Sequence, residues 1–274
     1  MFRSGLAGIA AFLACGVALP AFAADVFEPP VIEAAPVPVY EAPAVGGWYI
    51  RGDLDYHWSD FRGADYIIYG APGITGTFDE GDLKGALSLG GGVGYQIDPY
   101  FRVDVTGDYW FKSDFEGSTS GFCSDGLPCT SRDTTSVEAF LLLANAYVDL
   151  GTYHGFTPYI GAGIGGAYEK WDELTNTTRA GTFKHEGGGD WRFAYAAMAG
   201  VSYCLTENAL LDVGYRFSRI EGGEMFGYAV GAGPGYDDGF NTHEVRGGLR
   251  WQFGGSSCAA PVVYEPEPVA VYKK

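Results

Sequence analysis

Basic residues are scarce in this chain: 17 Lys and Arg stand against 34 Asp and Glu, a formal charge of −17. A protein that neutralises phosphates needs a basic face, so nucleic acid is excluded as a partner. Long apolar runs are missing too. Past Ala24 no stretch approaches the roughly 18 apolar residues of a membrane-crossing helix, which removes helical membrane proteins from consideration. Histidine is limited to His57, His154, His185 and His243, none of them in a nucleophile motif. The ordinary reading of His57 is a hydrogen-bonded histidine in a polar interior, and no enzyme activity is expected. The glycine runs Gly90 to Gly94 and Gly161 to Gly166 lack the lysine and the strand-to-helix setting of a phosphate loop, so no cofactor is assigned.

What is present begins with an export signal. Arg3 precedes an apolar stretch from Leu6 to Leu19, followed by Pro20 and Ala21-Phe22-Ala23, which reads as a secretory signal over 1–23 cleaved before Ala24. An uncleaved anchor is the competing reading, but the run is short for a bilayer span. Cys15 suggests a lipoprotein site, yet Phe12 stands where such sites want Leu, and Cys15 is read as discarded with the signal. The 43 Gly, 19 Tyr and 18 Phe with only 19% charged residues suit strands that face lipid. Residues 24–46 and 254–274 are proline-rich, and the first of these favours an extended polyproline-like leader. At about 3.1 Å per residue it would reach roughly 70 Å.

Between these ends the hydropathy alternates. In GGWYIRGDLDYHWSD, Trp48, Ile50, Leu54, Tyr56 and Trp58 share one parity while Tyr49, Arg51, Asp53, Asp55 and His57 share the other. That is the period of a strand with one apolar and one polar face. The pattern returns in YFRVDVTGDYWF, ALLDVGYRFSRI and HEVRGGLRWQF. Four further segments, Gly85 to Ile97, Thr135 to Leu150, Thr157 to Trp171 and Trp191 to Leu205, are blurred by Gly and Ala or, at Phe140 to Leu143, by apolar residues on both parities. Eight strands are an even number, and their links alternate between tight turns near Asp98-Pro99, 151–156 and 206–208 and long loops over 60–83, 114–134, 172–189 and 221–240. The expected fold is all-β: an eight-stranded antiparallel up-and-down transmembrane β-barrel over 47–253, with short periplasmic turns, long extracellular loops and both termini periplasmic.

A soluble β-sandwich is the rival, but its polar face would meet water. Here the polar parity carries Arg51, Arg102, Arg192, Arg216, Arg246 and Arg250 against Asp53, Asp55, Asp104, Asp108, Asp212 and Glu244. Balanced charges of this kind suit a shared lumen in which they pair. Among the cysteines, Cys123 and Cys129 bracket the turn-forming SDGLP of the second long loop and are expected to join. Cys204 ends the sixth strand, Cys258 follows the last on the same rim, and a bridge between them would clip the tail to the barrel. Lys184-His185-Glu186 in the third long loop offers one solvated histidine as a weak haem or metal ligand.

ADVFEPP at the mature start, GWYIRGDLDY, the NAYVDLG and FTPYIGAGIGGAY pair, and EVRGGLRWQF appear in an order that resembles the small outer-membrane immunogenic proteins of alphaproteobacteria, related in barrel type to the OmpA transmembrane domain. The resemblance implies an envelope-integrity role at the cell surface, embedded in outer-membrane lipid and lipopolysaccharide. Haem binding or passage of small solutes is the implied alternative. It also implies that Phe253 serves as the signal read by the barrel-insertion machinery, although here the chain continues beyond it. Finally, it implies that the mature terminus, Ala24-Asp25, is joined to peptidoglycan, with the Ala24 amine as acyl acceptor.

Overall fold

Successive side chains leave a strand on opposite faces, so each alternating segment becomes a wall with an inside and an outside. In the computed structural model eight such strands follow one another: β1 (Gly47–Phe61), β2 (Ala86–Gln96), β3 (Phe101–Ser118), β4 (Arg132–Asp149), β5 (Phe156–Trp171), β6 (Gly189–Cys204), β7 (Ala209–Ile220) and β8 (Phe240–Gln252). Each pairs antiparallel with the next, and β8 returns to β1, from Phe240 opposite Phe61 to Gln252 opposite Tyr49. Closure leaves the wall no open edge, which is the condition for strands to cross lipid. The structure describes residues 39–41, 45–69, 74–123, 125–229, 231–255, 258 and 262–264. The expected signal over 1–23, Ala24, Asp25 and most of the tail lie outside the described residues.

The apolar parity faces out. Trp48 is 62% exposed, and Leu54, Val105, Val213 and Leu249 are likewise exposed, an apolar surface far too extensive for water. The ambiguous stretch of β4 resolves cleanly: Phe140 and Leu142 point outward while Leu141 and Leu143 are fully buried. They join Trp110, Met198 and Ile220 in an apolar layer inside the barrel, which is why that strand shows no parity contrast. In β3 the register shifts so that Phe111 and Lys112 face the single residue Glu138, a bulge that reverses parity and turns Ser113 and Phe115 inward.

The two rims differ. Links of a few residues connect β2 to β3, β4 to β5 and β6 to β7. At the opposite rim the long connections are themselves β-structured. Ala64–Ile68, Thr75–Thr77, Gly223–Phe226 and Ala232–Asp237 form a four-stranded sheet that joins the first long connection to the last. The hairpin Leu174–Thr178 with Gly181–His185, in the connection from β5 to β6, pairs with the start of β4, and Ser120–Phe122 pairs with Pro128–Thr130. Phe115, Trp171, Leu174, Met225, Phe226 and Phe240 pack beneath this crown and close that end of the barrel. Where the sequence favours a polyproline-like leader, Val39–Glu41 instead pairs antiparallel with Val262–Tyr264, a ladder between the two proline-rich ends.

Candidate functional site: lumen and crown

The inward parity of the strands assembles a continuous charge network. Nearest the short-turn rim, Arg102 reaches Asp149 at 3.1 Å and lies over the rings of Tyr147 and Tyr159, 4.0 and 4.6 Å from their centroids. Arg250 meets Asp212 at 3.3 Å, and the Ser202 hydroxyl donates to the same carboxylate. Further in, Arg51 donates to both oxygens of Asp53, at 2.7 and 2.9 Å, and lies 3.4 Å from Asp104. Asn145 donates to Asp104 at 2.8 Å. Arg246 is shared among Asp53, Asp55 and Asp108 at 3.1–3.2 Å, and Arg216 links Asp108 at 2.7 Å to Glu244 at 2.5 Å. The result is an alternating path Arg51–Asp53–Arg246–Asp108–Arg216–Glu244 across β1, β3, β7 and β8.

Glycine makes room for it. A Cβ on Gly90 would stand 2.0 Å from the Asp108 carboxylate, and one on Gly248 would stand 2.1 Å from that of Asp53. The glycine runs thus admit bulky charged neighbours in a narrow interior.

Two features differ from the sequence reading. Arg192 does not enter this path: it sits nearer the crown, 2.6 Å from Glu169, 2.7 Å from Asp237 and 2.9 Å from Asp190. The charge balance is also different. Among the described residues ten carboxylates are buried, the six expected plus Asp133, Asp149, Glu169 and Asp237, against six guanidinium groups. Asp149 was legible, since it continues the parity of Asn145 and Tyr147, whereas Asp237 reaches the interior from a long connection that carries no strand signal for the barrel.

A small void of about 20 Å³ lies beside His57, Trp110 and Ser113. His57 stacks on Trp110 at 4.6 Å, with its Nε2 3.3 Å from the Ser113 hydroxyl. That space is roughly what one water molecule needs. A larger cleft, of about 350 Å³, opens in the crown between the long connections. Its wall includes Cys123 and Cys129, which are disulfide-bonded, and at the other rim Cys204 is bonded to Cys258. His185, read from sequence as solvated, is only 6% exposed: its Nδ1 donates to the Gly227 carbonyl at 2.9 Å and its ring packs edge-on against Phe226. Among the described residues no group of three or more His, Cys, Asp or Glu is arranged to hold a metal ion.

A closed eight-stranded wall with an apolar exterior and a charged, filled interior is the plan of a bacterial outer-membrane barrel. The family described as "Outer membrane protein beta-barrel domain" matches residues 10–253. The chain belongs to that family. A Brucella abortus (strain 2308) relative of this outer-membrane barrel, named as an uncharacterized protein, is 39% identical over 272 residues, covering 85% of this chain and 93% of its own. The outer membrane protein PagN of Salmonella typhimurium is 26% identical over 160 residues, covering 53% of this chain and 66% of its own. Among solved structures, the outer membrane protein OprG from Pseudomonas aeruginosa aligns with a TM-score of 0.47 at 18% identity, over 76% of this chain and 97% of that one.

Proposed function

We propose that this outer-membrane barrel is a non-conducting structural element of the envelope, with the crown outside the cell and the short-turn rim and both chain ends in the periplasm. The observation that carries this reading is the cross-linked lumen: guanidinium and carboxylate side chains from β1, β3, β7 and β8 span the interior, and the void beside His57 is only about 20 Å³. A narrow solute channel has no path through such a filling. Envelope support further calls for attachment below the membrane, and the mature terminus Ala24-Asp25, at the head of a proline-rich leader, suits covalent linkage to peptidoglycan through the Ala24 amine. The pairing of Val39–Glu41 with Val262–Tyr264 supports leader and tail acting together on that side.

Two measurements test the reading. In planar bilayers the refolded protein should give no stable single-channel openings of porin size, and such openings would refute it. Muramidase digestion of purified sacculi followed by mass spectrometry should release a peptide beginning at Ala24 that carries a muropeptide mass. Recovery of only unmodified Ala24 peptides would leave the leader as a plain linker.

A further inference from the structure

We infer that the crown cleft is a binding site for a small organic cation, a protonated amine on an apolar body, held by the Asp133 carboxylate among aromatic rings. The inference is independent of whether the lumen conducts. Its starting point is an odd carboxylate. Of the ten buried carboxylates, nine lie within 3.4 Å of an arginine nitrogen, but Asp133, fully buried, has no Lys or Arg at ion-pair distance among the described residues. Burying a charge without a counter-ion is costly unless other groups compensate it. Ser131 donates to one of its oxygens at 2.6 Å and Asn176 to the other at 2.5 Å. Those two donors leave lone pairs on both oxygens for a further donor.

Asp133 lines the cleft, and the rest of the lining suits an apolar body. Tyr66, Phe78 and Phe226 stand in a mutual triangle with ring centroids 6.2–6.4 Å apart. Phe122, 78% exposed, stands at the mouth. Burial raises the Tyr66 phenol above its ordinary value, against a hydrogen bond from Thr119, so its hydroxyl stays neutral. Rings around a carboxylate attract a cation from their faces while the carboxylate fixes its charged end. A volume of about 350 Å³ lies at the small end of ligand sites, which run roughly 300–1,000 Å³. The chain's net charge of −17 favours cationic over anionic ligands at its surface.

The probe is phenethylammonium, with 2-phenylethanol as its neutral counterpart, titrated calorimetrically into the full protein refolded in octyl glucoside, a detergent without a cationic headgroup. Saturable binding of the ammonium, at least tenfold tighter than the alcohol, is expected. Asp133→Asn should cut the ammonium affinity tenfold or more while leaving the alcohol unchanged, with gel mobility confirming a folded barrel. Phe122→Ala, at the exposed mouth, should weaken the ammonium several-fold while gel mobility shows a folded barrel. Absence of saturable ammonium binding, equal affinities for ammonium and alcohol in the unmodified protein, or an Asp133→Asn variant that folds and binds unchanged would each overturn the assignment. The comparison of the two probes needs no variant, so a folding failure of Asp133→Asn does not remove the test.

Discussion

Replacing Arg246 by alanine is the sharpest test of the lumen network, because its three carboxylates differ in what they keep. Asp53 retains Arg51 at 2.7 Å, and Asp108 retains Arg216 at 2.7 Å. Asp55 is different: it is 1% exposed, and Arg246 at 3.1 Å is its one ion-pair partner among the described residues. The substitution therefore leaves chiefly one buried, uncompensated carboxylate. Breaking a buried pair from one side costs roughly 3–5 kcal/mol. At about 1.4 kcal/mol per decade, this is a loss of about a hundred- to several-thousand-fold in the folding equilibrium. Urea unfolding in phospholipid vesicles, followed by tryptophan fluorescence and by the mobility difference between unheated and heated samples, measures it. Adding Asp55→Asn to Arg246→Ala should restore most of the loss by removing the orphaned charge, whereas adding Asp53→Asn should restore little. An Arg246→Ala barrel as stable as the parent, or equal rescue by both second substitutions, would refute the assignment of the cost to Asp55.

Gly90→Ala should destabilise the barrel by displacing the Asp108 carboxylate from Arg216 and Arg246, since its Cβ would stand 2.0 Å from that carboxylate; the same urea titration reads it. Thiol labelling of the mature protein, unfolded without reductant, should find none of Cys123, Cys129, Cys204 and Cys258 reactive, and two labelled sites would remove one bridge. Cys258→Ser opens a cross-link spanning 54 residues, and on chain-entropy grounds should lower the unfolding free energy by up to about 4 kcal/mol, read as a lower urea midpoint.

Strand identity and facing were written in the sequence. Alternation around Trp48 to Trp58 separates lipid from lumen because the pleat has a period of two residues, and the same parity placed Arg51, Asp53, Asp55, Arg216, Glu244 and Arg246 inside before any partner was known. Alternation carries no information on which inward charge meets which, since pairing depends on the stagger of neighbouring strands around the closed wall. That stagger alone separates Arg192, held by Glu169 and Asp237, from Arg246 on its three aspartates. The crown was beyond local reading for a similar reason. Its sheet joins Ala64–Ile68 to Ala232–Asp237, segments that become neighbours only when β8 closes on β1, and the cleft around Asp133 exists only because that closure brings four separate connections over one end of the barrel.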